Sequence, residues 1–190
     1  MKFTDGMWMT KAGFTVETPA EIYEVKEENG GLTLYCPYVA VQHRGNTLDG
    51  GLLTVRITST AVNTVSVRLV NHMGARQTMP GFPLHRGNET PETGKADGFW
   101  FLRSGDLETR VYPGREYRVE FLHKGKLLTS SGPKGMAHVL DQVTGETYAR
   151  EKLELSVGES IYGLGERFGP FVKNGQSIEM WNADGGTDSE

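Results

Sequence analysis

Apolar and polar residues alternate with a period of two along most of this chain. The alternation is clear at 53–57, 65–69, 117–121 and 152–155, where every second residue is apolar. Such a pattern places one face of a β-strand against a core and the other face in water. The sequence therefore predicts a series of half-buried strands.

Short glycine-containing turns separate the apolar runs and favour antiparallel hairpins. Four of these turns are Asn29-Gly30, Ser104-Gly105, Lys124-Gly125 and Thr144-Gly145. The last one precedes a strand that the pattern predicts at 148–155. No segment carries a sustained apolar stripe with a 3.6-residue period, so we expect little helix. These features predict an all-β fold, an antiparallel β-sandwich in which two sheets bury their apolar faces against each other.

Charge and cysteine content limit the classes of binding partner and the cellular compartment that we expect for this protein. The 24 acidic and 20 basic residues nearly balance, which argues against nucleic acid or an anionic membrane as a partner. Cys36 is the one cysteine, so no intrachain disulfide can form, and its apolar surroundings predict a small buried residue. The first residues lack an apolar signal region, and no apolar run reaches about 18 residues. We therefore expect a soluble, cytoplasmic protein.

Candidate chemistry is concentrated in the last thirty residues. The glycines at 163, 165 and 169 do not have the spacing of a dinucleotide-binding loop. The five histidines are scattered without ligand spacing, so no metal site is expected. Residues 151–190 hold eight acids and three bases, and several of the acids lie near aromatic residues in sequence. This stretch is either an ordinary solvated acidic segment or a sugar contact, because carboxylates accept hydrogen bonds from hydroxyls and flat rings cover sugar faces.

Two runs in this region resemble a known family. The first is Tyr162-Gly163-Leu164-Gly165-Glu166-Arg167-Phe168, followed by Asn174-Gly175-Gln176. The second is Trp181-Asn182-Ala183-Asp184-Gly185-Gly186-Thr187. Together they resemble the N-terminal domain of glycoside hydrolase family 31, and most closely that of its bacterial α-xylosidases.

The resemblance implies a β-sandwich of the galactose-mutarotase-like type, followed in the family by a (β/α)8 barrel. It implies a retaining α-glycosidase that needs no cofactor or metal and whose two catalytic aspartates lie in the barrel, so no catalytic residue is expected in this chain. A loop of the N-terminal domain reaches the barrel mouth in this family. Asp184 matches the aspartate that contacts sugar hydroxyls, and Trp181 and Asn182 match the residues that hold the loop.

The expected organisation is a sandwich at 1–160 and a loop segment at 161–190 that leads toward the barrel. We expect the sandwich to lack its last strands and an open sheet edge to pair with a second copy, which would give a homo-oligomer. The expected partners are the rest of the same polypeptide and an α-linked oligosaccharide, an α-xyloside or α-glucoside. Two alternatives stay open, a stand-alone carbohydrate-binding sandwich and a structural or oligomerisation domain.

Overall fold

The structure, a computed structural model, describes residues 2–5, 9–48, 50–71, 90–165 and 168–180. These residues form fourteen strands and one 3-10 turn, Arg44–Thr47, and no α-helix is found among them. In this part of the chain no helix has the length and apolar character that a membrane crossing needs. The strands are β1 (Thr4–Asp5), β2 (Met9–Thr10), β3 (Phe14–Glu17), β4 (Glu24–Glu28), β5 (Gly31–Pro37), β6 (Leu52–Thr58), β7 (Ser66–Val70), β8 (Glu92–Ala96), β9 (Phe99–Ser104), β10 (Leu107–Val111), β11 (Val119–His123), β12 (Lys126–Ser131), β13 (Ala137–Asp141) and β14 (Thr147–Arg150).

Two antiparallel sheets make up most of the molecule. One has four strands in the order β4-β5-β6-β7, and the other has five in the order β12-β11-β10-β9-β8. Two smaller sheets, β14-β13-β3 and β1-β2, complete the described strands. In the large sheets neighbours in space are also neighbours in sequence, which is the meander that short hairpin turns produce.

The tight turns follow from residues that accept a positive φ. Asn29 and Gly30 form the two-residue loop between β4 and β5, with φ values of 52° and 68°. Lys124 and Gly125 form the loop between β11 and β12, with φ values of 50° and 80°. Two successive positive φ values define the hairpin turn whose twist matches that of paired strands. The prediction of hairpins at these two positions is confirmed.

A single core lies between the two large sheets. Leu34, Val55 and Ile57 point inward from the four-stranded sheet, and Leu102 and Val111 point inward from the five-stranded sheet. All five side chains are completely buried. Burial of an aliphatic side chain of this size stabilises the fold by about 1.5–3 kcal/mol. The predicted all-β sandwich is therefore confirmed, and its core comes from the residues that alternate with polar ones.

Cys36 belongs to this core. Its side chain is completely buried, and burial raises the pKa of its thiol to about 12. A thiol with so high a pKa is protonated at neutral pH and is a poor nucleophile. Cys36 acts as a small apolar residue, as the sequence predicted.

The predicted strand at 148–155 is wrong beyond Arg150, where β14 ends. The Leu153 and Leu155 side chains are exposed. Glu154 makes one backbone bond toward β12, from its N–H to the Ser130 carbonyl. Its own carbonyl accepts from the Thr129 hydroxyl at 2.7 Å, so a side chain occupies the position that a backbone N–H would take in a ladder. The alternation of apolar residues continues here without a strand.

A chain of polar groups joins the four-stranded sheet to the small β14-β13-β3 sheet. The Tyr38 hydroxyl donates to the Asn71 amide oxygen at 2.8 Å. The Asn71 amide nitrogen lies 3.2 Å from His138 Nε2, and His138 Nδ1 lies 3.2 Å from a Glu17 carboxylate oxygen. Both ring nitrogens of His138 thus have a hydrogen-bond partner. The chain fixes the small sheet against the sandwich.

The edge strands of the two large sheets, as far as the described residues show, are β4, β7, β8 and β12. Pairing of one of these edges with a second copy stays a prediction. The boundary at residue 160 between the sandwich and the loop segment also stays a prediction.

Candidate functional site

The three residues expected to contact or support a sugar, Trp181, Asn182 and Asp184, lie outside the described residues. The same is true of Glu166 and Arg167 in the preceding motif. The structure does describe the stretch that leads to them, residues 153–165 and 168–180. We call residues 159–165 and 168–176 the stem, because residues 159 and 161 are hydrogen-bonded to residues 173 and 174.

Asn174 closes the stem. Its side-chain oxygen accepts from the Ile161 N–H at 2.7 Å, and its side-chain nitrogen donates to the Glu159 carbonyl at 2.9 Å. Next to it, the Lys173 N–H donates to the Ile161 carbonyl at 2.8 Å. A short amide side chain can make both bonds because it carries a donor and an acceptor. Residues 161 and 173 therefore run side by side without forming a strand pair.

The following residues tighten this closure. Gly175 has a φ of 74°, which a glycine adopts at no steric cost. The Gln176 N–H donates to the Lys173 carbonyl at 3.1 Å, and its side chain donates to the Val172 carbonyl at 2.6 Å. The Lys173 side chain is buried, and its ammonium donates to the Pro170 carbonyl at 2.8 Å. Each residue of the Asn174-Gly175-Gln176 motif thus has a structural task in the stem.

The far end of the stem has an unusual backbone. Gly163, Leu164 and Gly165 have φ values of 93°, 65° and 89°. A non-glycine residue in this region costs about 1–3 kcal/mol, and such conformations cluster at functional sites. The two glycines permit this path, and the Tyr162 ring packs against the Phe171 ring with centroids 5.0 Å apart. The glycines at 163 and 165 therefore serve the shape of this loop.

Apolar side chains lie on the surface throughout this region. Phe168 and Phe171 are 71% and 79% exposed, and Met180 is 67% exposed. A cleft of about 470 Å³ beside the stem is lined by Leu128 of β12 and by Leu153, Leu155 and Ile161. Exposed apolar side chains grouped on one surface are typical of interaction sites.

Glu179 is an acid of the C-terminal stretch whose charge acts on Lys2. It helps to raise the pKa of Lys2, after the larger effect of the hydrogen bond between Lys2 and Tyr148. The Lys2 ammonium lies 4.2 Å from the centre of the Tyr148 ring. Glu179 is thus one of the charges that act on Lys2 in the folded chain.

The outer face of the five-stranded sheet carries carboxylates that the sequence analysis did not single out. Arg103 and Arg110 both donate to Glu108, at 2.6 and 2.5 Å, and Arg118 and Tyr112 donate to Glu120. Burial acts to raise the pKa of the Glu108 carboxyl, but the two arginines outweigh it and hold that pKa below its usual value. A carboxyl held in its ionised form is unsuited to act as a general acid. These pairs are structural, and among the described residues no three potential metal ligands come together either.

Comparison with known proteins identifies the domain. Residues 54–190 match the Glycosyl hydrolase 31 N-terminal galactose mutarotase-like domain. The chain belongs to this family. The match includes both runs on which the resemblance rested, 162–168 and 181–187. It begins within β6 and covers all later strands.

Two curated relatives match the whole chain. Alpha-xylosidase XylQ of Lactiplantibacillus pentosus is 35% identical over 190 residues, which are 25% of its length. An alpha-xylosidase of Emericella nidulans is 33% identical over 212 aligned residues, which are 27% of its length. The chain thus spans about a quarter of the length of these relatives.

Solved structures agree on the fold. The cycloalternan-forming enzyme from Listeria monocytogenes, solved in complex with a pentasaccharide substrate, matches with a TM-score of 0.63 and 16% identity. The match covers 90% of this chain and 15% of that one. The uncharacterized protein lmo2446 from the same species, solved with glucose, magnesium and calcium, gives the same values. At this identity the likeness supports the sandwich fold alone.

Proposed function

We propose that this chain is the non-catalytic N-terminal domain of a retaining α-xylosidase. Its sandwich supports a catalytic barrel, and its C-terminal stretch brings a substrate-binding loop to the mouth of that barrel. The observation that carries the proposal is the alignment of the whole chain, including the 181–187 run, with about a quarter of the length of two alpha-xylosidases, together with the match to an N-terminal domain family. The substrate would be an α-xylosyl end of an oligosaccharide.

The stem supports the loop part of this proposal. A loop that must hold a carboxylate at a sugar needs a rigid base, because small displacements weaken an oriented hydrogen bond. Asn174 provides such a base only a few residues before Trp181, Asn182 and Asp184. The lysine and glutamine beside it, Lys173 and Gln176, fix the adjoining turn.

The exposed apolar surface supports the scaffolding part. Leu153, Leu155, Phe168 and Phe171 are exposed in the stretch that leads to the loop, and Leu128 of β12 is exposed beside Leu153 and Leu155. Interfaces between domains of one chain bury surface of this kind. We expect the catalytic barrel of the same polypeptide to cover this surface.

Activity of the chain alone tests the proposal. Glycosidic hydrolysis needs two carboxylates placed across one bond, about 5–9.5 Å apart. The 190-residue chain should show no turnover of an aryl α-xyloside above background, whereas the longer protein that contains it should hydrolyse the same substrate. Calorimetric titration of the chain with xylose-containing oligosaccharides should show no saturable heat. Turnover that depends on a carboxylate of this chain would refute the non-catalytic assignment, and tight oligosaccharide binding would favour the stand-alone binding module instead.

A further inference from the structure

Two arginines face each other on the outer surface of the four-stranded sheet. Arg56 of β6 and Arg68 of β7 are directly opposite in the antiparallel register. Arg56 lies between Val55 and Ile57, which point into the core, so both arginines project from the opposite face. Side chains at such positions have Cβ atoms about 4.5–5.5 Å apart, and like charges there destabilise the sheet.

Neither guanidinium has a neutralising partner among the residues that the structure describes. The arginines on the other large sheet behave differently, since each lies against a glutamate. These are Arg103, Arg110 and Arg118. Within the described part of the chain, the opposed pair is therefore two positive charges side by side without an acid paired to either of them.

The pair lines a polar cleft of about 520 Å³. Thr58 and Ser66, the next cross-strand pair on the same face, also line it, as do Thr60 and Thr90. The described residues around the cleft include no carboxylate. The site thus offers two guanidinium groups and several hydroxyl donors, in a volume typical of small-molecule sites.

The chemistry of these groups selects an oxyanion with two negative charges. A guanidinium presents a planar fork of N–H groups that matches the oxygens of a phosphate or carboxylate. A phosphate monoester carries about −1.5 to −2 charges at pH 7, which balances two arginines, whereas a single carboxylate leaves one positive charge. We propose that the cleft between Arg56 and Arg68 binds a phosphate group, either inorganic phosphate or the phosphate of a phosphorylated sugar.

The inference is independent of the proposed function. No described residue of 153–180 lines the cleft, and phosphate binding there does not depend on glycosidase activity. Occupation of the site by phosphate would remove the repulsion within the arginine pair, so binding and stability should change together.

Titration at constant ionic strength, with sodium chloride as the balancing salt, tests the binding. Inorganic phosphate should bind the protein saturably, and Arg56→Gln and Arg68→Gln should each weaken binding by about tenfold or more. Arg115→Gln removes an exposed arginine from a distant turn and should leave binding unchanged. Tighter binding of a sugar phosphate than of inorganic phosphate would identify the sugar phosphate as the ligand, and equal binding would identify phosphate itself. Absence of saturable binding by both, or equal loss in Arg115→Gln, would overturn the proposal.

Thermal unfolding without phosphate provides an independent check. Because Arg56 and Arg68 repel each other, Arg56→Gln should raise the melting temperature by about 1–4 °C. Phosphate should raise the melting temperature of the unaltered protein and leave that of Arg56→Gln nearly unchanged. A lower melting temperature for Arg56→Gln would show that the arginine has a structural role and would contradict the inference.

Discussion

The sandwich and the C-terminal stretch use the same alternating pattern with opposite results. Leu53, Val55 and Ile57 in β6 are completely buried. Leu153 and Leu155 follow the same spacing but are 56% and 48% exposed. The first set faces a second sheet across the core, and the second set faces open surface in the described part of the chain.

Alternation therefore identifies the apolar side of a segment, but it does not say which part of the protein buries that side. In the sandwich the cover is another sheet of the same domain. At 153–180 the apolar side chains surround a stem that is closed by side-chain hydrogen bonds. An apolar surface on a rigid base fits the proposed contact with a catalytic barrel.

Removal of a core side chain should have the largest effect on stability. Leu34→Ala should lower the free energy of unfolding by about 2–5 kcal/mol, because it leaves a cavity between the two sheets. Leu155→Ala should change it by less than about 0.5 kcal/mol, because the side chain is half exposed in this chain. Urea denaturation of both variants measures the contrast. Equal losses would show that the C-terminal stretch is part of the sandwich core.

Loss of the Asn174 side chain should have an intermediate, local effect. Asn174→Ala removes two hydrogen bonds worth about 0.5–1.5 kcal/mol each. Amide hydrogen exchange in the stem should therefore accelerate by about 5- to 150-fold, while exchange in β5 and β6 stays unchanged. Asn174→Asp keeps the acceptor for the Ile161 N–H and loses the donor to the Glu159 carbonyl. Its exchange rate in the stem should therefore lie between those of the unaltered protein and Asn174→Ala. Unchanged exchange at Ile161 in the alanine variant would show that Asn174 does not close the stem.

The smallest effect should be the pH dependence at Glu108. The pKa of this carboxyl is below its ordinary value of 4.5 in the folded state, so the unfolded chain binds more protons and stability rises with pH through this range. At pH 7, Glu108→Gln should cost about 1 kcal/mol. The stability difference between Glu108→Gln and the unaltered protein should disappear as the pH falls below 4.5 and through the lower pKa of the folded state, because Glu108 then becomes protonated and uncharged. Glu116→Gln, which changes an exposed glutamate in a turn, serves as the control. A loss of stability in Glu108→Gln that grew at low pH would contradict the lowered pKa of Glu108.

Much of the fold followed from the sequence because local patterns determine it. The period of two located β6, and Asn29-Gly30 and Lys124-Gly125 located two turns whose φ values only a few residues adopt readily. The strand predicted at 148–155 was too long because pairing depends on what lies across from a strand. At Glu154 the Thr129 hydroxyl takes the place of a backbone donor, and no local pattern reveals that exchange.

The candidate site was less accessible to sequence reasoning. The Asn174-Gly175-Gln176 run was noticed through resemblance, but its role in closing the stem depends on contacts between residues 12 to 15 positions apart. The opposed arginines Arg56 and Arg68 were visible only as polar members of alternating strands. Their juxtaposition requires the register of β6 and β7, which the turn between them does not specify.

Substitution of Asp184 in the longer protein tests the central claim most directly. A hydrogen bond that a sugar hydroxyl donates to a carboxylate is worth about 1.5–3 kcal/mol, so Asp184→Ala should lower kcat/KM for an aryl α-xyloside by roughly 10- to 150-fold. Asp188→Ala, four residues further along and outside the 181–187 run, should stay within about twofold of the unaltered enzyme. Both variants should keep the melting temperature of the parent. If Asp184→Ala retained full kcat/KM, this chain would not supply the substrate-binding loop, and the proposed function would lose its basis.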